Sequence, residues 1–304
     1  MPETLLVTGA SGQLGRSVVN HLLDTFKVPA SRIIATTRTP ASLADLAARG
    51  VTVRAADFDD QASLPTAFAG ADRALIISTN ELAIQGKRRA QQVTAVAAAR
   101  QAGVKHLLYT SLPNTEPGSP VLFAPDHYGT EQAIKATGIA YTIFRNGWYA
   151  ENLFMALPQI LASGHWYTSA GDGRISYCAR DDMAAAIAAG LASGNGENET
   201  YTLTGPQAYT VAEVATLVSE VNGKPIEVVQ LSDEALTEGM KAAGLPDPIA
   251  RLLVSFDAAT RAGDLGMVTD SVETLSGRKP VSLKQFLKAN ESVLAGYSNS
   301  RKIA

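Results

Sequence analysis

Cysteine is nearly absent from this chain: Cys178 is the only one among 304 residues. An internal disulfide is therefore excluded, and a reducing compartment is favoured. Charge of either sign is modest, at 18% of residues with a formal net charge of -3. That balance argues against a broad basic face for nucleic acid or an anionic membrane. No apolar run approaches the roughly 20 residues that span a bilayer, and Ala184 to Leu191, the most Ala-rich stretch, reads as a short buried helix. Met1-Pro2-Glu3-Thr4 has no basic region followed by an apolar stretch. No signal peptide is expected, and the location expected is cytoplasmic. Metal-ligand spacing is also missing. His21, His106 and His165 stand in no ligand pattern with one another or with Cys178, so no metal is expected. The acidic pair Asp181-Asp182 is read as complementing a helix dipole.

What the chain does have is 46% apolar residues, enough at this length for a full core without staples. Over the first 150 residues, short β-rich runs alternate with helical patterns. Strands are expected at Leu5 to Thr8, Arg32 to Thr37, Val51 to Ala55, Ala74 to Ile77, His106 to Thr110 and Tyr141 to Phe144. Helices are expected at Leu14 to Phe26, Ser42 to Arg49, Ser63 to Phe68, Gln85 to Ala102 and Asp126 to Thr137. Strand–helix alternation at this spacing demands right-handed crossovers and a parallel sheet. The fold class expected is α/β: a Rossmann-type doubly wound parallel sheet with a smaller C-terminal α/β cap.

After Arg145 the regularity weakens. Helices are expected at Leu153 to Ala162, Asp181 to Ala192 and Thr210 to Asn222, the last with a capping box of Thr210 and Glu213. Short strands are expected at Thr200 to Leu203 and Ile226 to Gln230. The division expected is a dinucleotide-binding domain over 1–150, completed by about 180–204, with the cap made of 151–179 and 205–304. The polar tail from Tyr297 to Ala304 is expected to fray.

Gly9-Ala-Ser-Gly12-Gln-Leu-Gly15 follows the first strand and opens the first helix. A phosphate must come close to backbone N–H groups there, and side chains would block it. Gly9 makes the turn, Gly12 admits the pyrophosphate and Gly15 lets helix and strand approach. Thr8, Ser11, Gln13 and Leu14 flank the same loop. The second strand ends Thr36-Thr37-Arg38, with no carboxylate to bond a ribose 2′-hydroxyl. Arg38 offers a guanidinium fork to a 2′-phosphate, so NADPH is preferred over NADH. Asp57 and Phe58 are placed along the adenine, and Ser78 and Thr79 against the middle of the cofactor. Lys87-Arg88-Arg89 reads as a solvated helix face.

The glycine loop, Arg38, Tyr109-Thr110-Ser111, His127-Tyr-Gly-Thr130-Glu131 and the run Phe144-Arg145-Asn146-Gly147-Trp148-Tyr149-Ala150-Glu151-Asn152 together resemble the NmrA-like branch of the atypical short-chain reductases. Within it, the likeness is nearest to the quinone- and dye-reducing members. The resemblance runs over nearly the whole chain. It implies NADPH (NADP) in the N-terminal part and a cap that completes the substrate pocket.

Orthodox short-chain reductases pair a Ser with Tyr-x-x-x-Lys, the Lys lowering the Tyr pKa. Here Ser111 ends the fifth strand, but Tyr128 is followed four residues later by Gln132. In the register of the resemblance, His127 takes the Tyr place and Glu131 the Lys place, one helical turn apart and in reach of each other. The positive charge is missing, which disfavours an epimerase or ketone chemistry. A quinone is an easier acceptor, because hydride addition yields an aromatic hydroquinone anion. Proximity then carries much of the rate. His127, Asn146 and Tyr149 are the candidate catalytic residues. Asn146 and Gly147 are expected beside the nicotinamide, and Phe123, Trp148 and Tyr149 as flat walls for a small quinone-like substrate. The competing reading is an NmrA-like NADP(H)-sensing regulator without turnover. Oligomeric state stays open, a homodimer included.

Overall fold

A computed structural model describes residues 2–82, 84–193 and 196–299. Seven parallel strands form one sheet in the order β11-β6-β5-β4-β1-β2-β3. These are β1 (Leu5–Val7), β2 (Ile33–Thr37), β3 (Thr52–Ala55), β4 (Arg73–Ile76), β5 (His106–Ser111), β6 (Ala140–Asn146) and β11 (Glu199–Leu203). The order reverses between β1 and β4, which places a crevice outside their carboxyl ends. The doubly wound α/β class expected above is the one observed. β1, β2, β4 and β5 are buried along their whole length. Such strands carry continuous apolar runs because both sheet faces are covered.

Helices α1 (Gln13–Asn20), α2 (Ala44–Ala48), α3 (Leu64–Phe68), α4 (Lys87–Gln101), α5 (Ala124–Lys135) and α7 (Arg180–Ser193) flank the sheet. The first helix departs from its expected form. It is α-helical only to Asn20, and His21–Thr25 widens into a π-helical turn. Helix α4 starts at Lys87 rather than Gln85, because Gly86 turns left-handed at φ 76°. Helix α7 is buried from Asp182 to Leu191, as an Ala-rich helix with no polar face must be.

The rest of the chain packs largely on itself, although its Val272 joins the core that holds α7. It comprises α6 (Leu153–Ser163), α8 (Val211–Asn222), α9 (Asp233–Ala242), α10 (Asp247–Arg261), α11 (Ser271–Ser276), α12 (Leu283–Ala289) and α13 (Glu291–Asn299). Three two-stranded pairs join them: β7 (Trp148–Tyr149) with β10 (Tyr177–Cys178), β8 (His165–Thr168) with β13 (Glu227–Gln230), and β9 (Arg174–Ile175) with β12 (Tyr209–Thr210). Thr210 caps α8, with Glu213 returning the bond to complete the box. Of the polar tail, residues 300–304 lie outside the described residues. A second apolar cluster joins Leu153, Leu157 and Ile160 of α6 to Val214 and Val218 of α8, Ala259 of α10 and Leu287 of α12. No helix among the described residues is long and apolar enough to cross a membrane.

His106 is a buried polar group in this frame, 3% exposed. Its Nε2 bonds the Thr142 hydroxyl at 2.8 Å, and its Nδ1 has no partner among the described residues. Burial first, and then the Arg73 guanidinium, push its pKa from the ordinary 6.5 to about 4. A folded-state value below the unfolded one means that this contribution is whole above pH 6.5 and is lost as pH falls towards 4. Acidification through that window should remove up to about 3 kcal/mol. His106→Gln should flatten the dependence, as thermal melts of both proteins from pH 7 to pH 4 would show.

Candidate functional site

The glycine loop fixes the start of the site. Gly9 sits at φ 59°, a left-handed conformation that side chains disfavour. Its carbonyl accepts the Gly12 N–H at 2.9 Å. A Cβ on Gly15 would lie 2.4 Å from the Gly9 oxygen and 2.9 Å from the Ala10 Cα. Only glycine therefore lets α1 begin against the turn. By helix geometry the first N–H groups of α1 have no partner inside the helix and face the crevice. Ser11, Gly12, Gln13, Arg16, Ser17 and Asn20 line a depression of about 470 Å³ beside them. Thr8 holds the loop from beneath, its hydroxyl accepting the Ile77 N–H at 2.9 Å. Leu14 is half-buried and packs on the core.

Along the crevice, Ser11 bonds the Thr37 hydroxyl at 2.9 Å and so joins the loop to the end of β2. Arg38 follows, exposed and distinct from the ion pairs that tie up other basic residues nearby, such as Arg16 with Asp45. Asp57 accepts the Asp59 N–H at 3.0 Å, forming a tight turn, with Phe58 half-buried beside it. Asp59, an acid within the field of Arg38, is held by Gln91 at 3.0 Å and Lys87 at 3.2 Å. Those bonds, and further off Arg38, keep its carboxyl below the usual range. Past β4, the Ser78 N–H donates to Thr110 at 2.9 Å. The Thr79 hydroxyl oxygen is buried without a partner among the described residues.

At the end of β6, Asn146 is 6% exposed. Its Nδ2 donates to the Tyr149 hydroxyl at 3.0 Å, while its Oδ1 is buried and has no partner among the described residues. Two orphaned oxygens, on Thr79 and Asn146, thus sit on the loop after β4 and the last residue of β6. Buried acceptors without donors are costly, and a ligand carrying N–H groups would satisfy them. Gly147 has no room for a side chain, since a Cβ would lie 2.8 Å from the Leu203 carbonyl oxygen. These features fit a dinucleotide laid along the crevice. Burial pushes the Tyr149 phenol up to about 12, against the Asn146 bond and the Arg180 charge, so it keeps its proton at neutral pH. Arg180 was not singled out in the sequence. Its guanidinium lies 5.1 Å from the Tyr149 ring centre and reaches Gln13 Oε1 at 3.4 Å, bridging the glycine loop and the end of β6. Only the fold brings α7 to that point, so no local pattern reveals it.

The aromatic walls come together as a chain. Trp148 meets Phe256 edge-on at 4.5 Å, and Phe256 meets Phe123 at 5.6 Å. Phe256 comes from α10, far along the sequence.

His127 and Glu131 share a helix but do not pair. Glu131, fully buried, accepts Ser111 at 2.6 Å and a two-pronged contact from Arg145 at 3.1 and 2.8 Å. Ser111 is therefore committed to structure. His127 is 3% exposed, with Nε2 2.8 Å from Arg88 and Nδ1 2.8 Å from the Tyr109 hydroxyl. A guanidinium only donates, so Nε2 accepts and Nδ1 carries the proton. Tyr109 then donates to Gln92 at 2.9 Å, and Gln92 to Thr130 at 3.3 Å. Burial, with Arg88 adding to it, holds His127 neutral well below its ordinary pKa. With both nitrogens occupied inside the protein, His127 is not placed to hand a proton to a ligand. The basic run is corrected likewise. Arg88 is 7% exposed, not part of a solvated face. Among the described residues, no group of three or more His, Cys, Asp or Glu side chains could hold a metal. Asp181 and Asp182 instead meet His21, Arg278 and the Val281 N–H.

Comparison with known proteins adds to this geometry. A profile described as the NmrA-like family matches residues 1–288. The chain is 37% identical over 281 residues to quinone oxidoreductase 2 of Escherichia coli (strain K12), covering 92% of this chain and 96% of that one. An NADPH-dependent quinone oxidoreductase of Escherichia coli, solved with NADPH, superposes with a TM-score of 0.88 at 37% identity, covering 94% and 99% of the two chains. The Citrobacter sp. triphenylmethane reductase solved with NADP(H) gives 0.86 at 37% identity over the same shares.

Removing the Glu131 charge should leave Arg145 unpaired on its buried side. Glu131→Gln is expected to lower stability by about 3 kcal/mol, read from urea unfolding.

Proposed function

This chain belongs to the NmrA-like family, and from that premise we propose that it is an NADPH-dependent oxidoreductase that passes a hydride to a quinone or a similar planar electron-poor acceptor. The observation that carries the reading is the end-to-end likeness to a quinone oxidoreductase solved with NADPH. The same likeness favours turnover over a purely sensing role. A cytoplasmic location suits the lone buried thiol of Cys178.

In this reading the Gly9–Gly15 turn and the N-terminus of α1 hold the pyrophosphate, with Arg180 as a second cation beside it. Arg38 takes the 2′-phosphate, while Asp57 and Phe58 flank the adenine and Ser78 and Thr79 the middle of the cofactor. Asn146 Oδ1 accepts from the carboxamide, and Gly147 lets the ring approach. Bound NADPH supplies the hydride. The chain holds the acceptor flat against Phe123, Trp148 and Tyr149, so that most of the rate comes from alignment. Asn146 already donates to the Tyr149 oxygen, which leaves the phenolic proton for an acceptor oxygen. The binding unit spans 1–150 and about 180–204, and the rest forms the cap.

Purified protein should oxidise NADPH in the presence of simple quinones, followed at the nicotinamide absorbance band. Tight binding without oxidation across a quinone panel would favour the regulator instead. Arg38→Ala should weaken NADPH by tens of fold, roughly the worth of one charged bidentate contact, and NADH hardly at all. Equal losses in calorimetry would remove Arg38 from phosphate recognition. Tyr149→Phe should lower kcat on quinones by roughly tenfold or more with the NADPH Kd unchanged.

A further inference from the structure

Arg88, the second residue of α4, is a buried cation that the hydride-transfer scheme leaves without a task. The loop before α4 leaves the carboxyl end of β4, so Arg88 lies at the crevice edge of the sheet. Its Nη2 donates to His127, and its Nε is buried without an acceptor. Among the described residues no carboxylate lies within ion-pair distance of it; the salt bridges of this helix start belong to Lys87. The groups it touches are neutral, His127 by burial and the Phe123 ring by nature, and the Tyr109 phenol beyond His127 is kept protonated by burial. Asp126 is the acid that acts on it from α5, at a distance. Arg89, next along the helix, is exposed. The Phe123 ring lies over the guanidinium, 4.6 Å from its centre. That ring touches Phe256, which touches Trp148. A buried cation with no paired carboxylate among the described residues is costly, and here it stands directly behind Phe123, one of the proposed acceptor walls.

We propose that Arg88 is a positioning residue that sets acceptor preference: through Phe123 its field favours acceptors that become anionic on reduction and disfavours acceptors that start cationic. This rests on the reductase reading above. A quinone that takes a hydride gains two electrons and one proton and becomes a hydroquinone monoanion; the nucleotide leaves as NADP⁺, and the Tyr149 phenol, recharged from water, supplies the second proton. A cationic triphenylmethane dye that takes the same hydride forms a new C–H bond and becomes neutral. The charge that missed the Lys place on α5 is thus supplied from α4. At about 9 Å and a surface-like effective dielectric, one such charge alters an equilibrium on the order of tenfold.

The test compares wild type with Arg88→Met and Arg88→Lys, each checked for folding by thermal melting. Calorimetry on protein loaded with oxidised NADP uses two planar probes, the anion 2,4-dinitrophenolate and its uncharged counterpart 1,3-dinitrobenzene. Arg88→Met should weaken the anion on the order of tenfold and leave dinitrobenzene unchanged; Arg88→Lys should retain the preference. In turnover, Arg88→Met should lower kcat on quinones while lowering KM for the cationic dye. Equal losses on both probes or both acceptors, or wild type binding the two probes alike, would overturn the proposal. Wild type that binds the anion preferentially but oxidises no NADPH would sink the reductase reading alone.

Discussion

A helix can begin within van der Waals reach of the turn that feeds it only if the side chains there are gone, and this closeness organises the rest of the molecule. Gly15 stands so near the Gly9 carbonyl that a single methyl group would collide with backbone. Because α1 sits down on β1 at that point, its unpaired N–H groups open onto the crevice where the strand order reverses. Ser11 can then reach Thr37, and Arg38 comes to the far end of the same groove.

The other side of the crevice is built from buried polar groups that restrain one another. Glu131, Ser111 and Arg145 form one set, which Arg145 extends outward to Glu116. Arg88, His127, Tyr109, Gln92 and Thr130 form a second, with every donor direction fixed by the guanidinium at its head. Rigid networks of this kind are strong only when satisfied throughout. Among the described residues the unsatisfied atoms therefore stand out: the Thr79 hydroxyl after β4, Asn146 Oδ1 at the end of β6, and Arg88 Nε at the head of the second set.

A reductase of activated acceptors has little need of a strong proton donor. The positions of α5 that correspond to the orthodox Tyr and Lys lie in the interior, and in the proposed reading the aromatic wall and the buried charge behind it decide which acceptor fits. Helix α10 contributes Phe256, which joins Phe123 to Trp148.

Much of this was legible in the sequence. Alternating periods and the glycine spacing dictated the parallel sheet and its first crossover, because those signals are local: a strand, a turn and a helix within 30 residues. The absence of an acid after β2 and the run from Phe144 to Asn152 were equally readable. The environment of a charge was not. Lys87, Arg88 and Arg89 are alike on paper, yet Arg88 alone is buried, because the packing of α4 on α5 selects which one turns inward. His127 and Glu131 share a helix face, yet each bonds a different strand neighbour. Arg180 and Phe256 reach the site from α7 and α10, across long sequence separations. Local spacing determines which backbone can form; only the packed chain decides which side chains lose their water and to whom they then bond.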